Sequence, residues 1–554
     1  MPNRLDIKNE LNGLLASETG PFRFRENGAF RICLVYPNTY AVGMSNLGLQ
    51  VNHRAINEVP GVTCERAFMP DSEWDRASRD GQAPVLSLET QRPLSDFHAI
   101  AFSVTYELDY LNVVRILNRA GIPALKSERL ASGEYPMIIM GGAAATANPD
   151  AMRDLVDWFW IGESEADVHR VFTALVDGWG TPELLPALAK LPHVYVPDVN
   201  SYWEVYTSIK QFELDDHPAT SQCITPNTVF SSTGLVEITR GCKWPCRFCI
   251  ARTLYGPVRK LSRPVVDDYA RRMAPYTRKL GLFGAGISDY EGLEDLIGGL
   301  AGEGFTVSVS SLRIAAMTPQ LLGALYRAGQ KTVTVAPESF SQRILKRMAK
   351  GVNHVLLHRG MEELTVSTMA RVKCYLMLGI PGEDESDLQL VREIVEPYAK
   401  RSTCNWEISW SILEPKPHTP FESFPMATRA EVEGRIKYLR RLMAGVPRTS
   451  LNLPSFNDTF LCDYLSRGDR RVGQEIVRQM RESGTERFRL AYRDYLEYME
   501  ALLAERRVPW ALNAEGQLAP PPFESTLPLA EPAKMPGPQA VTLVTPAGTE
   551  VPAM

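Results

Sequence analysis

The sequence predicts an α/β chain: an N-terminal doubly wound parallel sheet, then a partial (β/α)6 barrel, then a helical C-terminal region. Three observations predict it. Short apolar runs alternate with amphipathic stretches over the first ~180 residues; the alternation resumes at Val236 with six strand-like runs; from Arg429 the apolar spacing is helical only. At 554 residues the chain exceeds what one hydrophobic core organises. The expected division is a sheet domain over 1–185, a linker over 186–230, a barrel over 231–425, a helical extension over 426–512 and a proline-rich tail over 513–554.

In the first block RICLVY from Arg31, VLSLE from Val85, AIAFSVT from Ala99, MIIM from Met137 and VDWFWI from Val156 read as strands. The helices between them are expected at 47–58, 108–120 and 163–177. Two strands run into ligand-type loops, Pro37-Asn38-Thr39-Tyr40 with Gly43, and Gly141-Gly142 leading to Asn148-Pro149. In open sheets of this kind ligands lie outside the carboxyl ends of the strands. Scattered Pro and aromatic residues without a sustained period make 186–230 read as a linker.

The barrel strands are VEIT from Val236, LGLFGA from Leu280, TVSVSS from Thr306, TVTVA from Thr332, RVKCYLML from Arg371 and EISWSIL from Glu407. Six strand–helix units point to a partial barrel rather than the closed eight-fold form. Residues 431–443 and 488–506 are the clearest C-terminal helices. The end of the chain, rich in Pro, Ala, Thr and Glu, cannot bury enough apolar surface to order itself, so a disordered tail is expected.

Composition narrows the function classes. The chain is 44% apolar and 23% charged, with a net charge of −5, which gives no global reason to expect nucleic acid or an anionic membrane surface as partner. A local basic groove for nucleic acid stays open. No run approaches the ~18 apolar residues of a spanning helix, and the start lacks a signal-peptide core, so no membrane partner and a cytoplasmic location are expected. Nine cysteines are too sparse for a disulfide framework, and three of them fall within eight positions.

Those three lie in ITRGCKWPCRFCIAR, where Cys242, Cys246 and Cys249 form C-x-x-x-C-x-x-C just after the first barrel strand. A loop with these spacings can wrap a 4Fe–4S cubane with three thiolates, leaving one iron open to a substrate group. Structural zinc is the alternative; it needs a fourth ligand, and no second C-x-x-C or histidine pair is visible, although Cys223 is near in sequence.

The spacing, Phe248 immediately before the third cysteine, and the strand leading into the loop resemble the signature of the radical S-adenosylmethionine superfamily. The resemblance implies that the open iron chelates S-adenosylmethionine, that one electron cleaves it to methionine and a 5′-deoxyadenosyl radical, and that a flavodoxin- or ferredoxin-like donor supplies that electron. It also implies cofactor contacts at successive strand ends: Gly284 and Gly286 after the second barrel strand, Ser311 and Arg313 after the third, Glu338 after the fourth, and Gly379 and Gly382 after the fifth. Arg313 and Glu338 could equally pair with each other as structural charge. His418, in KPHTPF after the sixth strand, and Glu338 are the candidate catalytic residues; a loop histidine that caps the barrel edge is the plainer reading of His418. Cys374 and Cys404 read as small buried hydrophobes.

YPNTYAVGMSNLGLQ, GGAAATANP, IGESEAD, VAPES, EPKPHTPF and SRGDRRVG follow in an order that resembles a family of radical enzymes with an N-terminal cobalamin-binding-like Rossmann domain. Members of that wider group are methyltransferases, methylthiotransferases and ring-forming enzymes. One departure matters: where cobalamin domains that supply a lower ligand to cobalt carry D-x-H-x-x-G, this chain reads Pro37 to Gly43 without histidine. Asp96-Phe97-His98 mimics the motif but precedes a strand. The resemblance therefore leaves two outcomes, cobalamin bound without histidine or a fold kept without the cofactor. Methylthiotransferases need a second cluster, and Cys33, Cys64 and Cys223 are far apart for one. Substrate and product are not legible.

Overall fold

The computed structural model describes residues 4–506 apart from 25, 27, 72–74, 76–83 and 210, together with 511–512, 518–519, 543–544 and 550–551. Residues 1–519 form one compact unit. No helix among the described residues is long and apolar enough to cross a membrane.

The first sheet has six strands: β1 (Phe30–Tyr36), β2 (Val62–Phe68), β3 (Ala99–Ser103), β4 (Met137–Gly141), β5 (Trp158–Trp160) and β6 (Val194–Tyr195). Their order is β2-β1-β3-β4-β5-β6, parallel except for the β5–β6 pair. Order reverses between β1 and β3, so the crevice outside their carboxyl ends is the topological switch point. The sheet is doubly wound because its strands are apolar on both faces: Ile32, Cys33 and Val35 in β1 and Ile138 and Met140 in β4 are essentially inaccessible.

Two expectations are corrected here. VLSLE is not a strand; beyond an isolated bridge between Leu86 and Pro93, the run lies over the edge of β2, with Leu88 N–H donating to Arg66 O at 2.6 Å. The missing strand is VTCERAF, obscured by Glu65 and Arg66 at its centre. Arg66 is buried because Glu18 and Glu89 accept from its guanidinium at 2.7 Å each, and Thr90 donates to Glu65 at 2.8 Å. The second correction concerns 186–230. It is not a bare linker, because it supplies β6 to the sheet and a helix, Tyr202–Thr207, that packs against the barrel side.

The barrel contains β7 (Gly234–Arg240), β8 (Arg259–Lys260), β9 (Lys279–Gly284), β10 (Thr306–Val309), β11 (Thr332–Glu338), β12 (Arg371–Leu378), β13 (Asn405–Ile412) and β14 (Thr449–Asn452). They form two four-stranded sheets, β10-β9-β7-β8 and β11-β12-β13-β14, joined by a parallel bridge from Leu312 to Val335. The six expected strands are β7, β9, β10, β11, β12 and β13, all parallel; the short antiparallel β8 and the parallel β14 extend the edges. One buried core of Val236, Ile238, Leu282, Val333, Val372 and Ile408 with the surrounding helices unites the two halves.

The expected helices at 431–443 and 488–506 are Arg429–Leu442 and Tyr492–Arg506. Between them lie Phe456–Arg467 and Arg470–Ser483, which bury Phe460, Leu465 and Ile476 against the first domain. Arg467, 1% exposed, holds this junction: it clasps Asp463 at 2.6 Å and donates to the carbonyls of Glu422 and Phe424 at 2.6 and 3.0 Å. From the first domain, Asn148 donates to the carbonyls of Ser466 and Gly468 at 3.0 and 2.6 Å. The tail expected over 513–554 lies mostly outside the described residues; within it the pairs 518–519, 543–544 and 550–551 are short strands.

Candidate active site

The cysteine loop begins where β7 ends. Gly284, at φ +157°, lets β9 run close beside it: a Cβ there would lie 2.1 Å from Thr239 Oγ1 and 2.2 Å from Thr239 O. The loop is pinned at both ends, Cys242 N–H to Gly256 O at 3.3 Å and Arg247 N–H to Met348 O at 2.9 Å. All three cysteines are half-buried. Burial pushes the thiols of Cys246 and Cys249 up, while the cations of Lys350 and Arg313 pull Cys246 back. Metal binding releases such protons, so nearby cations favour the bound thiolates.

The donor set bears on what the loop holds. Three thiolates from one loop suit an iron–sulfur cluster with one iron left open, whereas a structural zinc takes four protein ligands.

Around the loop the structure gathers some expected residues and adds others. Phe248 packs with Ile344, Met348 and Leu413. Arg313 and Glu338 do not pair with each other; both turn to Lys350, which the sequence reading missed. Lys350 Nζ donates to Glu338 Oε1 at 2.8 Å and stands 5.6 Å from the Phe248 ring, and Arg313 donates to Lys350 O at 2.6 Å. Arg313 also stacks 3.7 Å over Trp244, whose indole N–H donates to Asp289 at 2.8 Å. Glu338 sits at a β-bulge with φ +68°, a strained conformation of the kind that clusters at functional sites. No local pattern pointed to Lys350, which lies twelve residues beyond Glu338, past the end of the helix Gln342–Arg347.

The remaining expected positions are dispersed around this centre. Gly286 faces the Gly241 carbonyl, with a built Cβ 3.5 Å from it. Ser311 is exposed beyond β10. Gly379 N–H donates to Glu383 at 2.8 Å, and burial pushes the Glu383 carboxyl up to about 7. Gly382 lies under the guanidinium of Arg347, which donates to Pro381 O at 2.5 Å. Cys374 and Cys404 are fully buried, as expected of small hydrophobes. His418 bridges to the first domain: its Nε2 is 2.7 Å from Ala147 O and 3.0 Å from the Tyr202 hydroxyl, and its ring stacks 4.9 Å from Tyr206.

Beside the loop a cavity of about 280 Å³ opens between the two sheets. Leu34, Ala101 and Ile139 from within β1, β3 and β4, with Gly141 and Gly142 where β4 ends, line its floor; Glu237, Arg240 and Phe283 of the barrel line its far wall. Its size is that of the smaller ligand sites. Gly142, at φ +104°, lets the loop after β4 pack against Val104, since a Cβ would lie 2.3 Å from Val104 O. The IGESEAD loop seals one side: Arg240 bonds Glu165 and Glu237 at 2.7 Å each and Glu163 at 3.1 Å. His98 is absent from the lining and stands at the amino end of β3, accepting from Arg31 N–H at 3.0 Å between Phe30 and Trp179.

Comparisons with known proteins follow the same two-part division. A family model described as radical SAM proteins, N-terminal, matches residues 48–197, and one described as the radical SAM superfamily matches residues 236–394. The uncharacterized protein MJ0966 of Methanocaldococcus jannaschii is 25% identical over 453 residues, 80% of this chain and 90% of that one. A tRNA-2-methylthio-N(6)-dimethylallyladenosine synthase of Bifidobacterium adolescentis is 25% identical over 238 residues, 40% of this chain and 47% of that protein. Among solved structures, the methyltransferase TsrM of Kitasatospora setae, with cobalamin and a [4Fe–4S] cluster bound, is similar at a TM-score of 0.52 and 13% identity, covering 82% of this chain and 99% of that chain. That likeness is one of fold.

Proposed function

We propose, from the premise that this chain belongs to the radical S-adenosylmethionine superfamily, that it is a methyltransferase that binds cobalamin between its two sheets and acts on an unactivated carbon of its substrate. The superfamily's 4Fe–4S cluster, when bound, supplies the electron that cleaves S-adenosylmethionine, and cobalamin supplies a methyl carrier. Cys242, Cys246 and Cys249 hold three irons and leave the fourth open. Lys350 holds a cation beside Cys246, and Phe248 closes the loop against water.

The observation that carries the cobalamin reading is the cavity at the switch point. Beside Leu34 and Ile139 its floor includes residues with little or no side chain, Ala101, Gly141 and Gly142, and it opens toward β7, the strand that leads into the cysteine loop. Small residues at this rim leave room for the edge of a ring to lie against the sheet. The loop after β1, Pro37 to Gly43, offers no imidazole, and His98 is at the opposite edge of the sheet, so cobalt would have no histidine ligand.

Anaerobic reconstitution with iron, sulfide and cobalamin tests the reading. The expected result is about four irons and one cobalamin per chain, with no nitrogen superhyperfine splitting in the reduced cobalt spectrum, and a methylated product in a substrate screen. Retention of iron without cobalamin overturns the methyltransferase reading. It would favour a cobalamin-free radical reaction, for which the missing histidine is the supporting observation.

A further inference from the structure

We infer that His354 and His358, one turn apart on the helix His354–Val366, form a binding site for a divalent transition-metal ion, with zinc the ion that suits it. The site lies apart from the cysteine loop and does not depend on what that loop holds.

The sequence reading missed this pair, which stands far beyond the cysteine loop in the chain. Asn353 caps the helix, accepting from Leu356 N–H at 2.9 Å, and Leu357, Met361 and Leu364 bury its inner face. Residues four apart on a helix share one face, the spacing at which two imidazoles reach a single zinc ion. Here the two rings already touch, with centroids 4.0 Å apart and planes tilted by 49°. On one tetrahedral zinc with Zn–N bonds of about 2.1 Å the centroids would stand about 5 Å apart, so the rings have to part by about 1 Å. His354 is exposed and makes no side-chain hydrogen bond among the described residues, so it moves at little cost.

The state of His358 separates this pair from two chance neighbours. Its Nδ1 lies 2.7 Å from the Tyr398 hydroxyl, and that hydroxyl donates to the His358 carbonyl at 3.4 Å. A hydroxyl has one proton to give. With it turned to the carbonyl, the Tyr398 oxygen accepts from Nδ1–H, and Nε2 keeps its lone pair. Nε2 is buried and has no hydrogen-bond partner. The opposite tautomer would bury an N–H without an acceptor, the costlier of the two defects. Metal-ligating histidines have this arrangement, because the bond from the second nitrogen sets both the tautomer and the direction of the ring. Tyr398 is itself held, with the Arg401 guanidinium 5.3 Å over its ring.

The surroundings select the ion. Imidazole nitrogen suits zinc, nickel and copper, whereas magnesium and calcium take oxygen. Glu362, the next residue along this face, is clasped by Arg401 at 2.9 and 2.6 Å and so does not compete as a ligand. Water fills the other positions. An ion bound here ties together the first two turns of a helix that begins four residues after Lys350.

The test is equilibrium dialysis of the cluster-reconstituted full-length protein against micromolar zinc, with zinc and iron counted in the same samples. The iron count tells zinc at the histidines from zinc in an empty cysteine loop. About one zinc per chain is expected. His354→Ala, an exposed change that leaves the fold alone, should weaken binding at least about tenfold. Tyr398→Phe keeps both imidazoles and should still weaken it about tenfold. Zinc should raise the melting temperature of wild-type protein and not that of His354→Ala. Zinc held equally by wild type and His354→Ala overturns the inference and puts the ion elsewhere. Binding only at millimolar metal, or an affinity unchanged in Tyr398→Phe, means an adventitious ion only and overturns it as well.

Discussion

The two sheets present their carboxyl edges to the cavity between them, yet they make their halves of the site by opposite means. The barrel half is built from what its side chains add: three thiols, Lys350, Arg313 and Glu338 converge on one loop within ion-pair and stacking distance. The N-terminal half is built from what its side chains omit, with Ala101, Gly141 and Gly142 leaving room where larger residues would fill the sheet's edge. Chemistry can be lost from the first by deleting a group and from the second only by adding one.

That contrast sets the tests. Cys246→Ala should have the largest effect, abolishing the brown 4Fe–4S absorbance and S-adenosylmethionine cleavage together, because a cubane held by two thiolates is not retained. Ala101→Phe makes the complementary change. It should cut cobalamin retention at least about tenfold by occupying the pocket, measured by equilibrium dialysis, while iron content and 5′-deoxyadenosine formation persist. Loss of both cofactors from that variant would mean that the two halves are one cooperative site.

Lys350→Met should act more mildly, slowing cleavage several-fold. The cluster potential should move to a more negative value, since removing a cation disfavours the more negatively charged reduced form; voltammetry reads this directly.

A smaller effect is expected at Glu383, whose carboxyl is pushed by burial from its usual 4.5 up to about 7. The folded state therefore holds a proton that the unfolded state has released. Stability from this group is complete below pH ~4.5 and falls as pH rises to about 7, in total on the order of 3 kcal/mol. Glu383→Gln should flatten the melting temperature against pH over that window. The smallest effect is expected from shortening the chain after residue 519, where the compact unit ends; melting temperature and cofactor content should not change.

The comparison also explains what was legible in the sequence. All six barrel strands were, because each alternates or continues apolar residues between turns, and so was the cysteine triplet, whose spacing is local. The strand VTCERAF was not. Its central Glu65 and Arg66 are made tolerable by Glu18, Glu89 and Thr90, partners far away in sequence, so the local pattern spoke against burial. Lys350 was hidden for a related reason: it reaches Glu338 and the Phe248 ring from beyond the intervening helix, and no spacing rule links those positions. The cavity was half legible. Gly141 and Gly142 marked its rim, but the far wall of Glu237, Arg240 and Phe283 depends on how the two sheets face each other.

The clasp between Asn148 and the carbonyls of Ser466 and Gly468 spans 318 and 320 residues of sequence. At ribosomal rates of about 5–20 residues per second, the loop that borders the cavity is made roughly 15–60 s before the residues that fasten it. Throughout that interval the nascent first domain lacks its clasp. The rim of the cavity is thus among the first parts of the fold to be made and among the last to be fastened.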